Sequence, residues 1–167
     1  AMVKGGLPAL EVTLRTPAAL DVIRAMAEVP GGVVGAGTLL TPADVKAAKA
    51  AGAKFGVSPG ATDRLIAACE DEGLPLLPGA ATATEVMVLL EKGFTIQKFF
   101  PAEASGGAPA LKAIGALYAW GRETGWARQA NPATGLRKLA TGEHQPWPQE
   151  ALDALLALMA DKFGEGE

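Results

Sequence analysis

The stretch ALEVTLRTPAALDVIRAMAEVPGGVVGAGTLL, residues 9–40, decides the fold. Two apolar runs rich in residues that favour β-strands, ALEVTLR and GVVGAGTLL, flank an alanine-rich run with helical character. Thr16-Pro17 offers the helical run a hydroxyl cap before a proline, and Gly31-Gly32 tolerates the left-handed conformation at a helix end. We therefore predict a strand–helix–strand unit.

The same unit repeats along the first two thirds of the chain. The predicted strands are 23, 22, 20 and 21 residues apart, beginning near Ala9, Gly32, Lys54, Leu74 and Thr95. The predicted helix caps are Thr16, Thr41, Thr62, Thr84 and Ser105. The predicted helix stops are Gly31-Gly32, Gly52, Gly73, Gly93 and Gly115. Strands and helices in alternation predict a parallel sheet with helices outside it. The short, uniform helices favour a (βα) barrel over a doubly wound sheet, although periodicity alone does not show closure.

The composition indicates one globular domain, residues 1–167, with 49% hydrophobic and 20% charged residues. A net charge of −3 without a basic block argues against nucleic acid or a membrane surface as partner. No apolar run approaches the roughly 20 residues of a membrane span, and the N-terminal residues lack a signal-peptide layout. The single cysteine, Cys69, cannot form an internal disulfide, which fits a reducing cytoplasm.

The rhythm of strands and helices breaks after Tyr118. Residues 118–147 are predicted to continue a helix and then form an atypical polar loop region. Residues 148–163 are predicted to form an amphipathic helix, because their large apolar residues recur at helical spacing. The one histidine, His144, is interpreted as a solvated surface residue, and a single histidine rules out a multi-histidine metal site.

Polar residues follow the predicted strands, where parallel α/β proteins place their active groups. Glu11, Thr13 and Arg15 share one parity and are predicted to share one face of the first strand. The second strand is followed by Thr38, and the fifth contains Lys98 in the run TIQKFFPAE.

Lys98 has three interpretations. It could extend to solvent at an exposed edge, or pair with a carboxylate as a structural ion pair. It could instead be a nucleophile, with apolar walls keeping enough of its amine neutral to attack a carbonyl group. A Schiff-base enzyme also needs a proton shuttle and a clamp for the substrate carboxylate, and Glu11 and Arg15 suit those roles. The alternative is a Glu11–Arg15 or Glu11–Lys98 ion pair that stabilises the interior.

Five motifs occur in the order LEVTLRT, VGAGT, SPG, LPLLPGA and KFFPAE. In this order and spacing, over about residues 4–117, the sequence resembles the bacterial 2-keto-3-deoxy-6-phosphogluconate (KDPG) aldolases. That family also includes the 4-hydroxy-2-oxoglutarate (KHG) aldolases. The resemblance implies a (βα)8 barrel, usually a homotrimer. The implied reaction is reversible cleavage of a 2-keto-4-hydroxy acid to pyruvate and an aldehyde, without a metal or another cofactor.

The resemblance also implies roles for single residues. Lys98 would form the Schiff base, and Glu11 would be the acid and base. Arg15 and Thr38 would hold the pyruvyl part of the substrate. The pocket would be lined by Pro59 and Gly60. The implied function is a class I aldolase that cleaves KDPG to pyruvate and glyceraldehyde 3-phosphate. The alternatives are a KHG aldolase and a catalytically inactive scaffold or assembly subunit.

The sequence departs from the family pattern outside these motifs. The family has a strand and a helix before LEVTLRT, a seventh strand ending in PTGG and an eighth ending in GGSW. None of these is recognisable here, and NPATGL, residues 131–136, is only a faint echo of the seventh. The missing loops are those that would hold the phosphate of the substrate. We therefore expect a barrel without recognisable first, seventh and eighth strands.

Overall fold

The structure is a computed structural model that describes residues 2–123. A short 3-10 turn, Val3–Gly5, precedes the regular elements. The strands are β1 Ala9–Thr13, β2 Val33–Gly37, β3 Phe55–Val57, β4 Leu76–Leu77, β5 Gly79–Ala80 and β6 Lys98–Phe99. The helices are α1 Ala19–Ala27, α2 Pro42–Ala50, α3 Asp63–Asp71, α4 Ala83–Glu91 and α5 Gly107–Glu123. The prediction of an α/β fold with parallel strands is confirmed.

The described residues form two compact units. The first contains residues 2–58 and 62–76, and the second contains residues 59–61 and 77–123. The strand order that begins in the first unit is β1-β2-β3-β4, and the second unit contains the parallel pair β5-β6. The predicted loop after residue 123 and the predicted helix at 148–163 lie outside the described residues.

The core of the first unit is made of aliphatic side chains from its helices and strands. Ile23 on α1, Val34 on β2 and Val45 on α2 have no more than 2% of their surface exposed. Helix α1 packs on β1 and β2, and α2 packs on α3. Each fully buried side chain of this kind contributes about 1.5–3 kcal/mol relative to an exposed one. The apolar face of each helix therefore fixes the sheet whose strand ends carry the predicted site residues.

The second unit has a smaller core with one polar anchor. The apolar face of α4 is buried through Val86, Leu89 and Leu90. Gln97 Nε2 donates hydrogen bonds to Val86 O at 3.2 Å and to Phe94 O at 3.0 Å. These bonds attach the residue before β6 to α4, so the start of β6 is held in place.

The helix starts agree with the sequence at two positions and differ at three. Helix α5 begins at Gly107, so the residue before it is Gly106 and not the predicted cap, Ser105. Thr41 caps α2 in a capping box with Asp44, and the Thr62 side chain caps α3, as predicted. Thr16 is not a cap, because α1 begins only at Ala19 and its cap residue, Ala18, makes no side-chain hydrogen bond.

Helix α4 begins two residues earlier than its predicted cap implied. Thr82, not Thr84, is the cap, and it forms a capping box with Glu85. The prediction failed because Thr82 and Thr84 are both followed by helix-forming residues, and only Thr82 has a glutamate three positions later. The backbone N–H of Ala81, then the side chain and N–H of Thr82, lower the pKa of Glu85.

The predicted helix stops are confirmed at Gly52, Gly73 and Gly93, which follow the cap residues of α2, α3 and α4 and have positive φ. Gly31 also has positive φ, but it does not end α1, whose cap residue is Glu28. The fifth, Gly115, is wrong because it lies inside α5. Neighbouring alanine and leucine residues continue that helix across the glycine, whose cost of about 1 kcal/mol they outweigh.

Two predicted strands are shorter than expected. The run LPLLPGA is interrupted at Pro78 into β4 and β5, since proline has no N–H to donate to a ladder. The run TIQKFFPAE forms only the two-residue strand β6, which is half-buried. Within residues 2–123, no helix has the length and apolar character needed to cross a membrane.

We predict different costs for two threonine substitutions in similar Thr-Pro sequences. Thr41→Ala removes the hydroxyl that accepts from Asp44 N and should lower the free energy of unfolding by about 1 kcal/mol. Thr16→Ala removes no capping bond, so its effect should stay within about 0.5 kcal/mol. Urea unfolding measures both values, and equal losses would contradict the assignment of the caps.

Candidate active site

Glu11 is the third of the five residues of β1, and its side chain is exposed. The register pairs Glu11 with Gly35 and Thr13 with Gly37, so all four residues belong to one face. The Glu11 side chain extends along that face and lies against Gly37, where a Cβ atom would be 2.7 Å from Glu11 Cδ. Its carboxylate is exposed to solvent and points toward the carboxyl end of the strands.

Arg15 does not continue the face of β1, contrary to the parity prediction. Strand β1 ends at Thr13, and Leu14 N donates the last bond of the ladder to Gly37 O at 2.9 Å. Arg15 N then donates to Thr13 O at 2.8 Å, which turns the chain away from the strand direction. The guanidinium is exposed, and the described residues show no Glu11–Arg15 ion pair.

Thr38 follows β2 directly and has an unusual backbone. Its φ is 62°, and it is the one described residue other than glycine with positive φ. A β-branched residue in this region costs about 1–3 kcal/mol, and such strain persists only where the surrounding structure imposes it. Leu39 N donates to Val57 O at 3.1 Å immediately after it, which holds the strained residue between two strands. The strain is independent support for the choice of Thr38 as a site residue.

Ser58 directly follows β3 and has a fully buried side chain. The sequence analysis did not select this residue. Its Oγ has no hydrogen-bond partner among the described residues. A buried hydroxyl without a partner costs free energy, so its place at a strand end marks a position where a polar group can be accommodated. The sequence signal was the polar residue before Pro59, in the same three-residue motif. Pro59 is half-buried and Gly60 is exposed.

Lys98 begins β6 in the second unit and is half-buried. Its N–H donates to Pro78 O at 2.8 Å, and its register partner is Gly79. Its Nζ lies 4.9 Å from the centroid of the Phe100 ring, within the range of a cation–π interaction. No carboxylate of the second unit forms an ion pair with Lys98. Of the three interpretations, the structural ion pair is therefore not supported within this unit.

Cys69 is excluded as a nucleophile at neutral pH. Its side chain is buried on α3, with 2% of its surface exposed. Burial, then the charge of Glu70, raises the pKa of the thiol to about 11, so the reactive thiolate is scarce. Among residues 2–123, no group of three or more His, Cys, Asp or Glu residues is arranged to hold a metal ion.

An apolar cavity of about 430 Å³ in the first unit lies away from the predicted residues. Its wall includes Val3, Leu10, Met26 and Val33, and none of the predicted site residues. The structure thus brings Glu11 and Thr38 to adjacent strand ends of the first unit, with Arg15 two residues beyond β1. In the second unit it places Lys98 over an aromatic ring.

Comparison with known proteins agrees with these motifs. The family model for KDPG and KHG aldolase matches residues 1–122. The KHG/KDPG aldolase of Escherichia coli K12 is 50% identical over 115 residues, which are 68% of this chain and 54% of that protein. The chain therefore spans about half the length of the curated relatives it matches.

Solved structures give the same result. The KDPG aldolase of Zymomonas mobilis ZM4 with 3-phosphoglycerate has a TM-score of 0.66 at 50% identity, covering 71% of this chain and 56% of that one. The KDPG aldolase of Legionella pneumophila, with pyruvate captured as a covalent carbinolamine intermediate, has a TM-score of 0.65 at 44% identity. It covers 69% of this chain and 56% of that one. With its sequence motifs, its parallel α/β fold and these matches in agreement, the chain belongs to the KDPG and KHG aldolase family.

Proposed function

We propose that the protein is a class I aldolase, a lyase that cleaves KDPG to pyruvate and glyceraldehyde 3-phosphate. The observation that carries this proposal is the position of Lys98 at the start of β6, half-buried and without an ion pair in its unit. The relatives at about half identity are named KDPG aldolase, which supports the choice of substrate.

The first step is the formation of a Schiff base. The neutral amine of Lys98 adds to the C2 ketone to give a carbinolamine, which loses water to become an iminium ion. The captured carbinolamine of pyruvate in the Legionella pneumophila relative supports this step. Cleavage then needs no further electron sink, because the iminium ion accepts the electrons of the C3–C4 bond.

The Phe100 ring suits the charge at this nitrogen. An aromatic face attracts a cation by about 0.5–2 kcal/mol, depending on how much water is excluded. The ring lies 4.9 Å from the Lys98 nitrogen, which carries a positive charge both as ammonium and as iminium. The contact therefore favours the cationic iminium intermediate.

Glu11 is proposed to move the protons. It removes the proton of the C4 hydroxyl group, directly or through water, as the C3–C4 bond breaks and the aldehyde departs. The electron pair of the C3–C4 bond shifts into the iminium ion, which becomes a neutral enamine. Protonation of the enamine at C3 restores the iminium ion, and water releases pyruvate and the free amine of Lys98. Protons and electrons balance without a cofactor.

The remaining site residues are proposed to bind the pyruvyl part. Arg15 offers two parallel N–H donors to the substrate carboxylate, the arrangement in which arginine is strongest. Thr38 offers a hydroxyl at a strand end where backbone strain fixes its direction. Pro59 and Gly60 are proposed to line the pocket, with no metal ligand among the residues assigned here.

One alternative substrate has specific support. The Escherichia coli relative is named for both activities, as a KHG/KDPG aldolase. Because 4-hydroxy-2-oxoglutarate has no phosphate, loss of phosphate-binding loops would favour it. Retro-aldol assays on both substrates separate the two possibilities. Absence of turnover on both, with a defined oligomer, would instead indicate the inactive assembly subunit.

The finer features of fold and assembly are also proposals. We propose a barrel-type arrangement of the (βα) repeats without recognisable first, seventh and eighth strands, as one domain over residues 1–167. We propose a homo-oligomer, a trimer by family resemblance, in a reducing compartment such as the cytoplasm. Sedimentation equilibrium tests the trimer against the chain mass of 17.0 kDa.

We predict that pyruvate and borohydride will trap a covalent adduct on Lys98. The reduced Schiff base adds the mass of one reduced pyruvate, and peptide mass mapping locates it. Lys98→Arg keeps the charge over Phe100 but removes the primary amine, so it should abolish the adduct. Lys54→Arg, at an exposed lysine, should leave the adduct unchanged. Adduct distributed over exposed lysines would rule out a special role for Lys98.

We predict that Glu11→Gln will separate Schiff-base formation from cleavage. Replacing the carboxylate with an amide removes the proton shuttle and should lower kcat for the retro-aldol reaction by about 10²–10⁴-fold. Trapping of pyruvate on Lys98 should persist, because that step does not break the C3–C4 bond. Glu28→Gln, at the exposed end of α1, is the control and should not change kcat. An unchanged kcat in Glu11→Gln would remove Glu11 from the mechanism.

A further inference from the structure

The backbone conformation of β2 does not require glycine at Gly35 or at Gly37. Neither is among the described glycines with positive φ, so alanine would fit the conformation of the strand at both positions. Both are buried on the sheet face that carries Glu11. A glycine inside a strand weakens it, which indicates that something approaches the backbone closely there. The reason for glycine at these positions is therefore space.

Different side chains fill the two spaces. At Gly35, a Cβ atom would overlap the ring of Phe55, its register partner on β3. At Gly37, it would overlap Oε1 of Glu11 and lie 2.7 Å from Cδ and 2.9 Å from Cγ. These distances are shorter than the separation of about 3.5–4.0 Å that non-bonded carbon atoms prefer. Each glycine thus makes room for one specific neighbour.

We propose that Gly37 is a positioning residue for Glu11, an inference that rests on the proton-transfer role proposed above. The register places Glu11 opposite Gly35, yet its carboxylate lies against Gly37, two residues nearer the carboxyl end of β2. Because glycine has no side chain, the Glu11 side chain can pass over Gly37 and extend toward the carboxyl end of β2. Arg15 and Thr38, assigned to the pyruvyl group, follow the same ends of β1 and β2.

A methyl group at Gly37 would move Glu11 rather than the strands. Five register pairs hold β1 to β2, whereas the carboxylate is the far end of a flexible, exposed side chain. Gly37→Ala should therefore fold and still form the pyruvate adduct on Lys98, with the carboxylate displaced. A displacement of about 1 Å in a catalytic group can cost about 10²-fold in rate.

The test is a kinetic double-mutant cycle on the full chain. Gly37→Ala should lower kcat for KDPG cleavage by about 10²-fold in the wild-type background. In the Glu11→Gln background it should lower kcat by less than about threefold, because the group it displaces no longer transfers a proton. The KM should change little in both backgrounds. Equal factors in the two backgrounds would overturn the proposal.

Gly35→Ala is the matched control, since it places the same methyl group on the same strand and the same face. Its overlap is with Phe55 and not with Glu11. Gly35→Ala should therefore change kcat by the same factor in the wild-type background and in the Glu11→Gln background. Coupling to Glu11 as strong as that of Gly37→Ala would refute a specific role for Gly37.

Thermal unfolding distinguishes failure of the inference from failure of the proposed function. Gly37→Ala should lower the melting temperature in the wild-type and Glu11→Gln backgrounds, because glutamate and glutamine have the same size and both would overlap the new methyl group. In the Glu11→Ala background, Gly37→Ala should not lower the melting temperature. If Gly37→Ala alone does not fold, the double variant Glu11→Ala with Gly37→Ala should fold. An equal loss in Glu11→Ala overturns the inference even if the enzyme is active. Absence of a pyruvate adduct in the wild type overturns the proposed function alone, and the melting temperatures then decide the placement of Glu11.

Discussion

The parallel register between β1 and β2 is the constraint on which the first unit depends. It pairs Glu11 with Gly35 and Thr13 with Gly37, and it ends with the bond from Leu14 N to Gly37 O. A shift of one residue would transfer every side chain of β1 to the other face of the sheet. The half-buried Leu10 and Val12 of β1 oppose such a shift, because they would exchange faces with the exposed Glu11 and Thr13. The aliphatic core thus determines where the acidic side chain points.

In the second unit, the position of the lysine depends on its neighbours in the chain. Gln97 is bonded to two carbonyl groups, one of them on α4, and Lys98 N is bonded to Pro78 O. These bonds hold the backbone before the Lys98 Cα atom, and Phe100 N, which donates to Ala80 O at 3.1 Å, holds it after that atom. Positioning a reactive side chain through fixed backbone bonds costs nothing when the reaction occurs, which is the general advantage of a pre-organised site.

The sequence predicted the elements well where one signal was enough and poorly where two signals competed. The first three strand starts, to within one residue, and three glycine stops were correct, because apolar runs and left-handed glycines are local properties. Helix α1 began later than Thr16 implied, and α4 began earlier than Thr84 implied, since capping depends on which hydroxyl meets a free N–H in three dimensions. The site residues came from motif resemblance. Neither the positive φ of Thr38 nor the space at Gly37 can be derived from composition or spacing, because both arise from neighbouring strands.

The costs in this fold are concentrated at the strand ends. Thr38 has a backbone conformation that costs about 1–3 kcal/mol, and Ser58 buries a hydroxyl that has no partner among the described residues. Gly35 and Gly37 give up the side chains that would strengthen β2. By contrast, the helix faces of the first unit are ordinary aliphatic packing. A chain selected for stability alone would place a relaxed residue at Thr38 and would not give up a side chain at Gly37 to make room for Glu11. That it departs from this choice at the carboxyl end of the sheet, and next to Glu11, is the physical reason to seek the chemistry there.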